Sequence, residues 1–209
     1  MAEGSLIGIE ESLRSTGIKK IAGVDEAGRG PCAGPLVIAA VILDDLHSPT
    51  MQRVKDSKAL SEKAREELFE LIKEEALSYE IVEISAAEID ANGLHRSNLE
   101  GMRRAVNNLQ LTPEYVLTDG YAIEGLALPN LAVWKGDQVA PSISAASILA
   151  KVHRDRIMRG MEIQYPGYGF AKHKGYITAS HTAAIKQLGI CEIHRKSFKN
   201  ISDLLDFNK

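Results

Sequence analysis

The segment Asp25-Glu26-Ala27-Gly28-Arg29-Gly30-Pro31 concentrates chemistry: two adjacent carboxylates leave the apolar run IAGVD and enter a turn with an arginine between two glycines. Neighbours on a strand point to opposite faces, so a strand tip alone directs only one of the pair into a common site, and the turn must redirect the other. Glycines let backbone N–H groups approach a ligand closely, and an arginine between them suits phosphate. An acidic strand end followed by an ordinary tight turn is the competing structural account. Two further acids fit the same place. Asp119 closes YVLTD before Gly120, again an acid at a strand tip, although Asp before Gly is also a frequent turn pair. Asp155 follows Ile148 and Val152 at helical spacing and extends an apolar stripe; an ion pair with Lys151 or Arg159 is its alternative. Four carboxylates in one pocket repel unless a cation neutralises them. Oxygen ligands select hard ions such as Mg²⁺ or Mn²⁺, and no Cys and His arrangement in the chain has zinc spacing. Paired metals roughly 3.5–4 Å apart can activate water and stabilise the leaving oxygen of a phosphodiester.

The elements that must position these acids follow from apolar periodicity. Residues 21–25 and 35–43 read as buried strands joined by the turn AGRGPCAG. Residues 61–77 predict a helix with Ser61 as N-cap and Ala64, Leu68, Leu71 and Ile72 as its stripe; a strand over 79–85 follows. Leu99, Met102, Val106 and Leu109 mark a second helix, closed by Thr112 and Pro113 before a strand at 115–119. A short strand at 131–134, a helix over 142–158 and a helix over 178–188 complete the pass, the last with Thr178 as N-cap and Gly189 as its stop. This order of mixed elements predicts an α/β sheet flanked by helices, with a site where loops leave the strand ends. No repeat, low-complexity segment or linker interrupts it, so one domain over 1–209 is expected.

Composition narrows the class further. The chain has 209 residues, 44% hydrophobic and 25% charged, with 17 glycines and two cysteines, which excludes collagen, disulfide-stapled and wholly disordered architectures. Its longest apolar run, Leu36 to Leu43, falls well short of the ~20 residues of a membrane span, and the N-terminus lacks a signal peptide's basic start and apolar stretch. A cytoplasmic location with Cys32 and Cys191 reduced is expected, Cys32 packing as a small apolar residue. The net charge of −3 hides an asymmetry: residues 134–209 carry 12 Lys or Arg against 6 Asp or Glu, and residues 1–133 carry 13 against 22. Lys151, Arg154, Arg156 and Arg159, then Lys172 and Lys174, then Arg195, Lys196 and Lys199 form basic clusters. Either they face a polyanion or they are solvated helix faces.

DEAGRGP at 25–31, DSKAL at 56–60, TDG at 118–120, KGD at 135–137, SISAASILAKVHRDR at 142–156 and YPGYGFAKHKGY at 165–176 together resemble bacterial ribonuclease HII, a type 2 ribonuclease H. The likeness runs in order from about Ile21 to Phe198. It implies a ribonuclease H-like fold, a mixed central sheet flanked by helices with a helical C-terminal segment. It also implies endonucleolytic cleavage of RNA in RNA–DNA hybrids and incision 5′ to a single ribonucleotide in duplex DNA. By position, Asp25, Glu26, Asp119 and Asp155 resemble the family's metal-binding acids, and Gly28, Arg29 and Gly30 resemble its sensor of the 2′-hydroxyl. Tyr176 resembles the tyrosine that stacks on the following sugar. Ser57 and Lys58, in the loop before the first long helix, either touch phosphate or cap that helix. Two Mg²⁺ or Mn²⁺ ions, 5′-phosphate and 3′-hydroxyl products and a monomer with no membrane contact are the matching expectations, with the basic segment near 165–209 touching substrate. A non-catalytic nucleic-acid-binding module, and a junction resolvase or exonuclease on a related sheet, are the rivals.

Overall fold

The computed structural model describes residues 8–54 and 60–206, so Ser57 and Lys58 lie outside the described residues. In chain order the elements are α1 (Gly8–Ser15), β1 (Ile21–Ala27), β2 (Leu36–Leu43), α2 (Pro49–Val54), α3 (Glu62–Glu75), β3 (Ala76–Ile84), α4 (Ala86–Asn92), α5 (Leu94–Asn107), β4 (Tyr115–Asp119), β5 (Asn130–Val133), α6 (Gly136–Val139), α7 (Pro141–Gln164), α8 (Phe170–His173), α9 (Ala179–Leu188) and α10 (Lys199–Asp206). The strands form one mixed sheet in the order β3-β2-β1-β4-β5. β2 runs antiparallel to both β1 and β3, whereas β1, β4 and β5 are parallel. The carboxyl ends of those three strands therefore open on the same side, the expected place for a site.

β2 has eight apolar residues because both its faces are covered. Val37, Ala39, Val41 and Leu43 pack against α2, α3 and α7; Leu36, Ile38, Ala40 and Ile42 pack against α5. Each fully buried Val, Leu or Ile contributes about 1.5–3 kcal/mol. α7 lies hard against β1: a Cβ on Gly23 would sit 2.1 Å from the Ser142 carbonyl carbon. Buried Glu10 of α1 accepts the Ser142 amide at 3.0 Å and so holds the start of α7.

Local signals survive folding where they are capped. Ser61 and Thr178 accept the amides of Ala64 and His181, and Gly189 ends α9 at φ 79°. Most expected boundaries hold to within a residue, and three differ by more or in kind. β1 continues to Ala27, because Glu26 and Ala27 still pair with Ile38 and Val37. α3 stops at Glu75 and β3 begins at Ala76, where pairing with Leu43 and Ile42 overrides the helical period. α7 runs six residues beyond Met158, since partly buried Met161 packs against the same apolar cluster as Met158.

The basic clusters do not form one polyanion-facing surface. Arg154 and Arg195 are buried, and Arg156 and Arg159 pair with Glu62, Glu66 and Glu70 of α3. Only part of that charge, including Lys172, Lys196 and Lys199, is exposed. Among the described residues no helix is long and apolar enough to cross a membrane.

Candidate active site

β1 delivers its two acids to opposite faces, as a two-residue period requires. Ala22 and Val24 face α5, so Asp25 shares the α7 side with Gly23 and lies beside Ser147 of α7. Glu26 turns the other way, toward Asn98 of α5. The two carboxylates still feel each other, the Glu26 charge opposing ionisation of Asp25, and the Glu26 amide donates to Asp25 Oδ1 at 2.7 Å. In the parallel register Val24 is level with Thr118, which puts Asp25 level with Asp119 on the neighbouring strand, about 4.8 Å away between backbones. Gly120, at φ 74°, then turns the chain away, and the Gly136 amide of α6 donates to Asp119 Oδ1 at 2.7 Å.

Asp25 and Glu26 are held in uncomfortable surroundings. Burial raises the Asp25 pKa well above the ordinary carboxylate value; the charges of Glu26 and Asp119 raise it further, against hydrogen bonds from the Glu26 amide and Ser147. Burial likewise raises Glu26, opposed chiefly by Arg29. Glu26 Oε2 is buried without a hydrogen-bond partner, and Asn98 lies beside the carboxylate without completing a hydrogen bond to it. Clustered acids with an unpartnered buried oxygen fit a hard divalent cation, which supplies the missing positive charge. Among the described residues no three His, Cys, Asp or Glu side chains are already arranged around a common metal position, and of the three strand-end acids Glu26 is the one that lines the adjoining cleft.

Asp155 is buried, as its place on the apolar stripe of α7 predicts, and its Oδ1 accepts Lys151 Nζ at 2.8 Å. That ion pair is the alternative weighed from the sequence. Ser147, Lys151 and Asp155 follow one another at intervals of one helical turn. The first two line a cleft of about 330 Å³ with Glu26, Gly28, Arg29, Gly30, Arg154 and Tyr176; Asp155, like Asp25 and Asp119, stands outside that lining. Asp137 is an acid that the sequence reading passed over. It follows Gly136, the residue whose amide binds Asp119, in the first turn of α6. The signal was present in KGD, two residues beyond a strand parallel to β4.

The Gly28-Arg29-Gly30 turn is clamped from beneath by two buried arginines. Arg154 donates to the carbonyls of Pro35, Ala33 and Lys174 at 2.9, 3.0 and 2.9 Å. Arg195 donates twice to Gly34, at 3.0 and 2.9 Å, and to Arg29 at 3.4 Å. Neither was legible as structural from sequence, where a basic residue reads as surface. Arg29 itself lies 4.6 Å over the Tyr121 ring, 3.5 Å from Glu26 Oε1. Cys32 is fully buried and burial pushes its thiol up to about 11, so it packs as a small apolar residue. Tyr176 is 50% exposed at the mouth of the cleft.

Gly28 and Gly30 differ sharply in what they tolerate. At φ 103°, a Cβ on Gly28 would lie 2.2 Å from Arg154 Nε and 2.8 Å from the Pro35 carbonyl; one on Gly30 meets Tyr176 Cε1 at 3.3 Å. Gly28→Ala is expected to destabilise the protein by about 2–4 kcal/mol in thermal unfolding, from backbone strain and lost packing. Gly30→Ala should cost less than half of that. Equal losses would contradict the clamp.

Comparison with known proteins follows the same line. The ribonuclease HII family profile matches residues 22–201. A ribonuclease HII of Nocardia farcinica is 54% identical over 202 residues, 97% of this chain and 80% of the relative; one of Salinispora arenicola is 50% identical over 200 residues, 96% and 74%. The crystal structure of ribonuclease H2 from Pyrococcus horikoshii OT3 superposes with a TM-score of 0.79 at 30% identity, covering 91% of this chain and 99% of that one. A profile spanning the strand-end acids, relatives at half identity along nearly the full length and a shared fold leave one assignment: the chain belongs to the ribonuclease HII family of metal-dependent endoribonucleases.

Proposed function

We propose that this protein hydrolyses the RNA strand of RNA–DNA hybrids and incises 5′ to single ribonucleotides in duplex DNA, leaving 5′-phosphate and 3′-hydroxyl ends, as one catalytic domain. The observation that carries this reading is the gathering of Asp25, Glu26 and Asp119 beside a clamped glycine turn. Those three acids would hold divalent metal, Mn²⁺ or Mg²⁺, and Asp137 follows the Gly136 amide that binds Asp119. When bound, two such ions supply the positive charge that activates water and stabilises a departing 3′ oxygen. The chain's own contribution is placement. Backbone groups of Gly28, Arg29 and Gly30 read the ribose 2′-hydroxyl, which is both donor and acceptor. Arg29 offers its guanidinium to phosphate, and Tyr176 stacks on the next sugar. Asp155 acts through Lys151, pinning that ammonium at the cleft wall, where it neutralises substrate charge. Exposed Lys172, Lys196 and Lys199 make the segment near 165–209 the remaining phosphate-facing surface.

The test uses three duplexes: a continuous hybrid, DNA with one ribonucleotide, and all-DNA. Metal-dependent cutting of the first two, with the third intact, is expected; cutting of all-DNA duplex or junctions would return the assignment to a DNA nuclease. Binding has its own reporter. Trp134 is the single tryptophan and is 81% exposed just past β5, at the strand ends that carry the acids. Its emission should change when hybrid is added in EDTA.

A further inference from the structure

The small apolar cluster under the Tyr176 loop contains two buried histidines. His181 and His194 are 0% and 1% exposed among Tyr168, Phe170, Ala184 and Ile185. Buried polar rings need partners, and here the partners determine which nitrogen carries each proton. The Cys191 amide donates to His194 Nδ1 at 2.9 Å, so His194 carries its proton on Nε2. That nitrogen lies 3.1 Å from His181 Nε2. His181 Nδ1 is 2.9 Å from the Tyr176 carbonyl, an acceptor only, so the His181 proton is on Nδ1 and its Nε2 is free to accept. The opposite His194 tautomer, donating to the Cys191 carbonyl at 3.3 Å, would set two lone pairs against each other across the 3.1 Å gap. Two imidazoliums would set two N–H groups there. Burial agrees, holding His181 down to about 4 and lowering His194.

The result is a one-way chain from the Cys191 amide through His194 and His181 to the Tyr176 carbonyl. His173 braces it from the side, stacked on His181 with ring centroids 4.3 Å apart. It accepts the Gly175 amide at 3.2 Å and faces the Tyr168 carbonyl at 2.8 Å. The Tyr176 amide donates to the His173 carbonyl at 2.9 Å. Both main-chain groups of Tyr176 are thus anchored to the histidine cluster while its ring stays half exposed over the Gly28–Gly30 turn.

We propose that His194 and His181 are positioning residues for Tyr176: a buried relay of neutral imidazoles fixes the tyrosine's backbone so that its ring is preorganised for the sugar following a lone ribonucleotide. This rests on the reading of Tyr176 as a substrate contact and deepens it, because the relay then sets preference between a lone ribonucleotide and a continuous hybrid.

His181→Leu removes the donor at similar volume, and His181→Asn restores an amide N–H near the Nδ1 position. On the lone-ribonucleotide duplex, His181→Leu should lower kcat/KM about tenfold, as a contact displaced by a fraction of an ångström does. His181→Asn should recover most of that loss, and the hybrid should be affected less in both variants. In a Tyr176→Ala background, His181→Leu should add almost nothing further. Full additivity, or equal loss on both substrates in proportion to Tm, overturns the relay and leaves the Tyr176 reading intact. An unchanged rate for Tyr176→Ala itself overturns both. Should His181→Leu fail to fold, long-range ¹⁵N NMR of the unaltered protein decides: Nδ1–H on His181 and Nε2–H on His194 at pH 7 support the relay, and the reverse tautomers or a charged ring overturn it.

Discussion

Asp25→Asn is expected to lower cleavage of both substrates by about 10³-fold or more, a loss of several kcal/mol of transition-state stabilisation, while raising the Tm of the metal-free protein. The two effects have one origin. Asp25 is buried with Glu26 and Asp119 close enough for their charges to oppose its ionisation. An amide of the same size relieves that repulsion and can still accept the Glu26 N–H. Each kcal/mol relieved raises Tm by about 2–4 °C for a chain of this length. Adding Mn²⁺ should reverse the order, stabilising the unaltered protein by binding and the variant far less. Asp119→Asn should behave alike and keep its contact with the Gly136 amide. Asp137→Asn is expected to fall between these and Asp155→Asn, whose effect through Lys151 should be about tenfold. Cleavage at the unaltered rate by Asp25→Asn or Asp119→Asn at ordinary Mg²⁺ would defeat the assignment, and a larger loss for Asp155→Asn than for Asp137→Asn would exchange those two roles.

The second large effect concerns stability. Arg154→Leu should destabilise the fold by about 3–5 kcal/mol in denaturant unfolding, because the carbonyls of Ala33, Pro35 and Lys174 lose their donors in a buried setting. Burial lowers the pKa of the guanidinium, and among the described contacts it bonds to carbonyls, not to a carboxylate. Arg154→Lys cannot reach all three in fixed planar geometry and should recover less than half of the loss. Activity should fall in parallel, since the same carbonyls shape the loop carrying Gly28 and Gly30. A surface arginine would change stability by less than about 0.5 kcal/mol, so a result in that range would refute the clamp.

These expectations differ in how early they could be seen. The alternation IAGVDE already implied that Asp25 and Glu26 diverge, and they do, one toward Ser147 and the other toward Asn98. The strand at 115–119 and the helix capped by Thr178 were legible because their signals lie within a few residues. Less legible was the end of α3, where residues 76–77 continue a helical pattern but enter β3 instead, Ala76 pairing with Leu43 of β2. Asn98 reads in sequence as an ordinary polar helix residue, yet it is fully buried next to Glu26.

By itself the chain determined the apolar runs, the caps, the acids at two strand tips and the motifs that mark the family, since all of these are contiguous patterns. Tertiary structure decided which charges are internal. Arg154 and Arg195 became scaffolding, His181 and His194 became a hydrogen-bonded relay, and Asp155 took Lys151 as its partner. The reason is physical: the cost of a charge or a polar ring depends on burial and on its partners, which for Arg154 and Arg195 stand 20 to 166 residues away, and burial does not exist before the sheet and helices close around the group.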